Sequence, residues 1–189
     1  MRIRTLAAFF LCVCLCFGGA LSAAEKYNAK MFTRGGPNTE NVLRIEIKID
    51  GYTTGEEGWI LFHALNYEGW DQFIAAFRQT NKGTIIFHGA RGLNIAIHAA
   101  QVIPGENGRK ILLFTEKQTW EVDVQQRVDG RFPFMVFELD LDNKGNGEGK
   151  IYENAQIKLK GDRETGTGAV EMESYNSAPK VLFNVGLVK

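Results

Sequence analysis

The sequence predicts a mainly β, single-domain protein: an antiparallel β-barrel or β-sandwich of roughly 8–10 strands with one amphipathic helix near 69–81. Three observations carry that expectation. Apolar and polar residues alternate with period 2 in segment after segment, turn signals fall every 8–12 residues or so, and an apolar stripe of helical period occurs once.

In chain order, residues 1–24 (MRIRTLAAFFLCVCLCFGGALSAA) come first. Arg2 and Arg4 precede an apolar run from Leu6 to Phe17, and small residues lead to an expected cut after Ala24. That order is the pattern of a secretory signal peptide, and the run is shorter than the roughly 20 residues a spanning helix needs. Residues 25–41 (EKYNAKMFTRGGPNTEN) show little periodicity and read as an exposed lead-in. Domain organisation is then a leader over 1–24, a lead-in over 25–41 and one β-rich domain over 42–189.

Within that domain VLRIEIKID is the clearest strand, with Leu43, Ile45, Ile47 and Ile49 on one face and Arg44, Glu46, Lys48 and Asp50 on the other. WILFHAL (59–65) reads as a second, more buried strand. In EGWDQFIAAFRQTNKG the residues Trp70, Phe73, Ile74 and Phe77 recur at helical spacing, giving a helix that could plug the open end of a curved sheet. Strands follow at 84–88, 93–103, 109–116, 119–124, 132–142, 150–160, 167–175 and 180–188, separated by glycine-rich connections such as GARG and PGENG. KILLF and FPFMVF are apolar on both faces, which favours a packed soluble core over a membrane barrel.

The ledger of charge and cysteine excludes several chemistries. Cys12, Cys14 and Cys16 all lie in the leader, so the chain after the cut has no disulfide and no thiolate metal site. A disulfide-free exported chain points to a bacterial periplasm or exterior. Loss of the leader leaves 20 basic against 22 acidic residues, a balance that disfavours nucleic acid and anionic membrane alike. No transmembrane segment is expected in the mature chain.

The acidic stretch ELDLDNKGNGEGKI admits a calcium-loop reading through Asp140 and Asp142. Counted from Asp140, however, Lys144 falls where a ligand belongs and Ile151 replaces the bidentate glutamate. A hairpin accounts for more: Glu138, Asp140 and Asp142 share a wet face, with Asp142 expected opposite Lys150 and Asp140 opposite Tyr152. The histidines His63, His88 and His98 show no zinc spacing, and no nucleophile elbow or phosphate loop occurs. No catalytic residue, cofactor or metal is therefore assigned.

From Pro133 to Lys189 the chain resembles a group of uncharacterised exported bacterial proteins, through FELDLDNKGNGEGK, AQIKL and MESYNSAPKVLFNV. The resemblance implies export and a β-rich domain. It implies no activity. The function expected from the residues is a non-enzymatic exported β domain binding a small apolar ligand or lipid. Trp59, Trp70, Phe73, His98 and Trp120 are the candidate lining residues. The alternatives are a structural or protein-interaction module of the envelope, with an envelope protein as partner, and an enzyme without a recognisable motif.

Overall fold

The computed structural model describes residues 24–34, 40–89, 93–117 and 133–188. The leader, Trp120 and the strand expected at 119–124 fall outside them. Ten antiparallel strands form one sheet: β1 (Glu25–Arg34), β2 (Glu40–Ile49), β3 (Gly83–His88), β4 (Leu93–Ile97), β5 (Ala99–Gly105), β6 (Gly108–Glu116), β7 (Phe134–Asp142), β8 (Asn146–Asp162), β9 (Thr167–Tyr175) and β10 (Lys180–Leu187). The strand order is β4-β3-β2-β1-β10-β8-β7-β6-β5, and β9 pairs with the far half of the long strand β8. The ladder is open. Its two end strands, β4 and β5, are consecutive in the chain, with only His98 between them.

One face of nine strands converges on a common core. Tyr27, Ile47, Ile85, Ile97, Ile111, Phe137, Ile151 and Leu182 are among its members, each fully buried. Each large side chain buried in this way stabilises by about 1.5–3 kcal/mol at most. The sheet is thus curled around an interior filled with its own side chains, neither a closed ladder nor two stacked sheets.

Among the described residues, helices cover the outer face on one side only. Helix α1 (Gly55–His63) runs into a π-helical turn, Ala64–Glu68, and helix α2 (Trp70–Gln79) follows. Phe73 and Phe77 of α2 and Leu61 of α1 pack against Leu112, Phe114, Phe134, Val136 and Val170. This second layer explains why β6 and β7 are apolar on both faces. The helix expected to plug a mouth of the sheet lies instead on its outside, because Phe114, Phe134 and Val136 offer an apolar surface there.

Two further expectations are corrected. WILFHAL is helical, not a strand: Thr54 caps α1 by accepting from the Glu57 amide (3.2 Å), while the Glu57 carboxylate accepts from the Thr54 amide (2.8 Å). That reciprocal capping box fixes the helix start and overrides an apolar run of ambiguous period. Residues 25–34, read as lead-in, form a central strand, since Tyr27, Ala29 and Met31 point into the core and β1 pairs with both β2 and β10.

The acidic hairpin exists, but in a tighter register. Glu138 faces Lys150, Asp140 faces Glu148 and Val136 faces Tyr152. Asp142 Oδ1 accepts from the amides of Lys144 and Asn146 (both 2.8 Å), and Gly145 adopts φ 79°. A three-residue turn results, so Gly147 and Gly149 belong to the strand and not to the loop.

Candidate functional site

Of the residues expected to line a cavity, the four that are described lie on the outer helical layer. Trp70, Phe73 and His98 do come together, around Phe77 and Phe134: Trp70 and Phe73 are 5.3 Å apart between ring centroids, and Phe77 and His98 are 5.0 Å apart. Phe73 is fully buried there, and the His98 Nδ1 lies 2.9 Å from the Thr80 carbonyl oxygen. Trp59 stands apart on α1, stacked on Phe62 at 5.4 Å. None of these four reaches the interior of the sheet. Among the described residues no group of three histidines or acids is placed to hold a metal; Asp140 is an exposed residue of β7 and Asp142 stands exposed at the start of the turn. Asp142's carboxyl is held below the ordinary aspartate range, chiefly by the Asn146 amide.

One polar cluster does sit inside the curl. Glu25 Oε2 accepts from Tyr27 (2.7 Å), Tyr52 (2.9 Å) and Arg109 Nη2 (2.9 Å), and Arg109 also donates to the Tyr27 oxygen (2.6 Å). Glu25 and Arg109 come from β1 and β6, which are not neighbours in the ladder, so the ion pair spans the interior. Burial, reinforced by the Glu25 carboxylate, pushes both phenols well above the usual tyrosine value. Every member satisfies another. The cluster acts as a clasp rather than a reactive centre.

A surface depression of about 1050 Å³ runs beside the acidic hairpin and the β5–β6 turn. Its charges largely answer one another, with Lys110 3.3 Å from Glu138 and Lys150 opposite that same carboxylate. A second depression of about 420 Å³ lies between the helices, where His63 pairs with Glu68 at 3.1 Å.

A different arrangement occupies the outer face of β10, β1, β2 and β3, which no described helix covers. Alternation sends Asn28, Lys30 and Phe32 outward from β1, and Val42, Arg44, Glu46 and Lys48 outward from β2. Near the β1–β2 turn these make an apolar group: Phe32 stacks on Phe183 at 4.5 Å, Val42 is the cross-strand partner of Phe32, and Val181 projects from β10. Phe32, Val42 and Val181 are 58%, 49% and 55% exposed. Immediately beside them runs a basic row, since Lys30 pairs across to Arg44 and Arg44 to His88. Glu46, the acid of this face, is engaged by Lys26 at 2.9 Å and Lys48 at 3.5 Å. The hydrogen bond from Lys26 is the main cause holding its carboxyl below the ordinary glutamate range.

Sequence reasoning missed this face. Arg44 was legible as a solvent-side residue of β2, but Lys30 and Phe32 lay in a segment whose alternation (Tyr27, Ala29, Met31 against Asn28, Lys30, Phe32) is blurred by the small Ala29 on the inward side and the apolar Phe32 on the outward side. Comparison of the chain with family models, curated proteins and solved structures gives no match. Among the described residues no helix is long and apolar enough to cross a membrane.

Proposed function

We propose that this is an exported, non-enzymatic β domain that binds lipid at its outer face, by the end of the sheet that carries Phe32, Val42, Val181 and Phe183. The observation that carries the reading is the stack of exposed Phe32 on half-buried Phe183 beside a basic row. Aromatic and aliphatic side chains that face water lose that exposure when they enter the boundary between headgroups and acyl chains, at about 25 cal/mol per Å². Neighbouring lysine and arginine add attraction to anionic headgroups. The filled interior turns the search for an apolar ligand from the inside of the curl to its surface. The resemblance to exported bacterial proteins supports the same compartment, a periplasm or cell exterior where lipid surfaces are at hand.

The test is co-sedimentation of the protein, purified from an exporting host, with phosphatidylcholine vesicles containing or lacking phosphatidylglycerol. The parent should pellet with the mixed vesicles, and Phe32→Ser/Phe183→Ser should stay in the supernatant. A parent that remains soluble with both vesicles overturns the reading. A second reading, an interaction module of the envelope, is favoured by β9, which pairs only with β8 and leaves its other edge without a strand among the described residues. Cross-linking in the native envelope through a photoreactive residue at Glu173 would reveal that partner, and an uncross-linked chain would sink the idea.

A further inference from the structure

We infer that the row Lys30–Arg44–His88, with Asn184 beside it, is a seat for a phosphate group, and that the phosphate belongs to the headgroup of an anionic lipid. This rests on the lipid reading above and gives its polar half an address.

The first argument is electrostatic. Lys30 and Arg44 are directly opposed on neighbouring antiparallel strands, an arrangement of like charges that costs stability. Among the described residues no carboxylate pairs with either of them. Glu46 is already shared by Lys26 and Lys48, and His88 Nε2 approaches it only at 3.9 Å. Among the described side chains of β1 and β2 on this face, four cations (Lys26, Lys30, Arg44, Lys48) stand against one carboxylate, Glu46, although the chain as a whole has as many basic as acidic residues. A bound oxyanion would relieve that local repulsion.

The second argument is geometric and independent. The β1–β10 register slips between Asn28 and Lys30, and the β10–β8 register slips between Leu182 and Val185. The extra residue is Asn184, held at φ 52° in the left-handed region that side chains other than asparagine and aspartate seldom adopt. Bulges of this kind re-aim one side chain while the rest of the strand keeps its faces. Val185 stays in the core, and Asn184 lines the same depression of about 410 Å³ as Asn28, Lys30, Arg44, Glu46 and His88. The donor set suits a tetrahedral oxyanion: a planar guanidinium able to bind two oxygens, a compact ammonium, and amide N–H groups. The apolar group lies one residue pair away along β1 and β2, which puts an acyl chain next to Phe32 when the phosphate is seated.

The experiment compares the parent, Lys30→Gln/Arg44→Gln, Asn184→Gly and Phe32→Ser/Phe183→Ser. Each is tested against phosphatidylglycerol vesicles, phosphatidylcholine vesicles and inorganic phosphate. Loss of two basic residues should weaken binding to phosphatidylglycerol vesicles about thirtyfold, their share of attraction to an anionic surface. The parent's preference for phosphatidylglycerol over phosphatidylcholine should vanish with them, while its melting temperature is kept or raised. Asn184→Gly, which suits the backbone at that position, should weaken binding by a smaller factor without unfolding the strand. Inorganic phosphate should compete with the vesicles for the parent. Unchanged phosphatidylglycerol binding by Lys30→Gln/Arg44→Gln overturns the seat. Phosphate binding without any vesicle binding overturns the lipid as its source. Phosphatidylglycerol binding that survives Phe32→Ser/Phe183→Ser but not Lys30→Gln/Arg44→Gln leaves the seat standing and removes the apolar reading alone.

Discussion

Replacing Gly58 by alanine sets two effects of known size against each other. In an ordinary helix interior the change stabilises by about 1 kcal/mol, because alanine loses less backbone freedom. Here Gly58 lies where α1 crosses β9. A methyl group at that position would sit 2.1 Å from the Gly168 carbonyl oxygen and 2.4 Å from its carbon, against an ordinary contact of 3.4 Å or more. Both partners are backbone atoms, so no side-chain rotation absorbs the overlap. The helix must withdraw by more than 1 Å, loosening Leu61 over Val170 in the same cluster. Overpacking of this type costs about 1–3 kcal/mol, and partial loss of Leu61 burial adds to it. The expected net change is a destabilisation of about 2 kcal/mol, read by urea unfolding with circular dichroism and with Trp59 fluorescence as a local probe. Gly168→Ala should cost at least as much, since the clash is mutual and no helix propensity offsets it. The double variant should cost less than the sum, because one displacement relieves both contacts. Gly51→Ala, which meets nothing within 4 Å, is the control. A Gly58→Ala protein as stable as the parent would refute the backbone-to-backbone seam between α1 and β9.

Other outcomes follow from the same structure. Phe73→Ala removes a fully buried ring between Phe77 and Phe134 and should cost about 3–5 kcal/mol in urea titrations. Arg109→Leu deprives Glu25 of its cation; with side chains 31% and 19% exposed, a loss of about 2 kcal/mol is expected, checked the same way. The raised phenols of Tyr27 and Tyr52 favour the folded state while neutral, so stability should hold below the unfolded tyrosine value of 10.0 and fall as pH climbs beyond it. Melting curves of Tyr27→Phe/Tyr52→Phe should show a shallower alkaline decline. Asp142 works in the opposite sense: its lowered pKa gives stability above the usual aspartate range that disappears as pH falls through the folded value. Asp142→Asn should flatten that acid limb in pH-dependent thermal unfolding.

How legible the molecule is in its sequence varies by element. β3, β6, β7, β9 and β10 lie within a residue or two of where alternation and turn residues put them, because each has at least one regular face. WILFHAL misleads because seven residues apolar in every direction fit either period, and the deciding signal, Thr54 with Glu57 three residues later, lies just upstream. The hairpin register was missed because glycine looks like a turn residue even at 147 and 149, where strand backbones approach closely. The outer face proposed to meet lipid was less accessible still. Lys30, Arg44 and His88 are far apart in sequence, and Phe183 meets Phe32 only through the pairing of β1 with β10. Charge balance over the whole chain hides such a face, since the sum is indifferent to which side of a strand each residue occupies.

The way β4 passes through His98 into β5 has a consequence for how the chain folds. Read as a ring, the order β5-β6-β7-β8-β10-β1-β2-β3-β4 is a meander in which neighbours along the chain are neighbours in space, β9 being a side hairpin on β8. Only the β1–β10 pairing, sealed by the Val188 amide donating to the Lys26 carbonyl (2.7 Å), joins distant parts of the sequence. β1–β4 and β5–β10 can therefore assemble as two locally paired halves, leaving one long loop closure to the end. The start of β1 and the end of β10 lie side by side in the middle of the ladder, Tyr27 opposite Leu187, so a chain in which β10 is linked directly to β1 and which is opened at His98 would be a permutant with every strand pair kept and that slow closure made local.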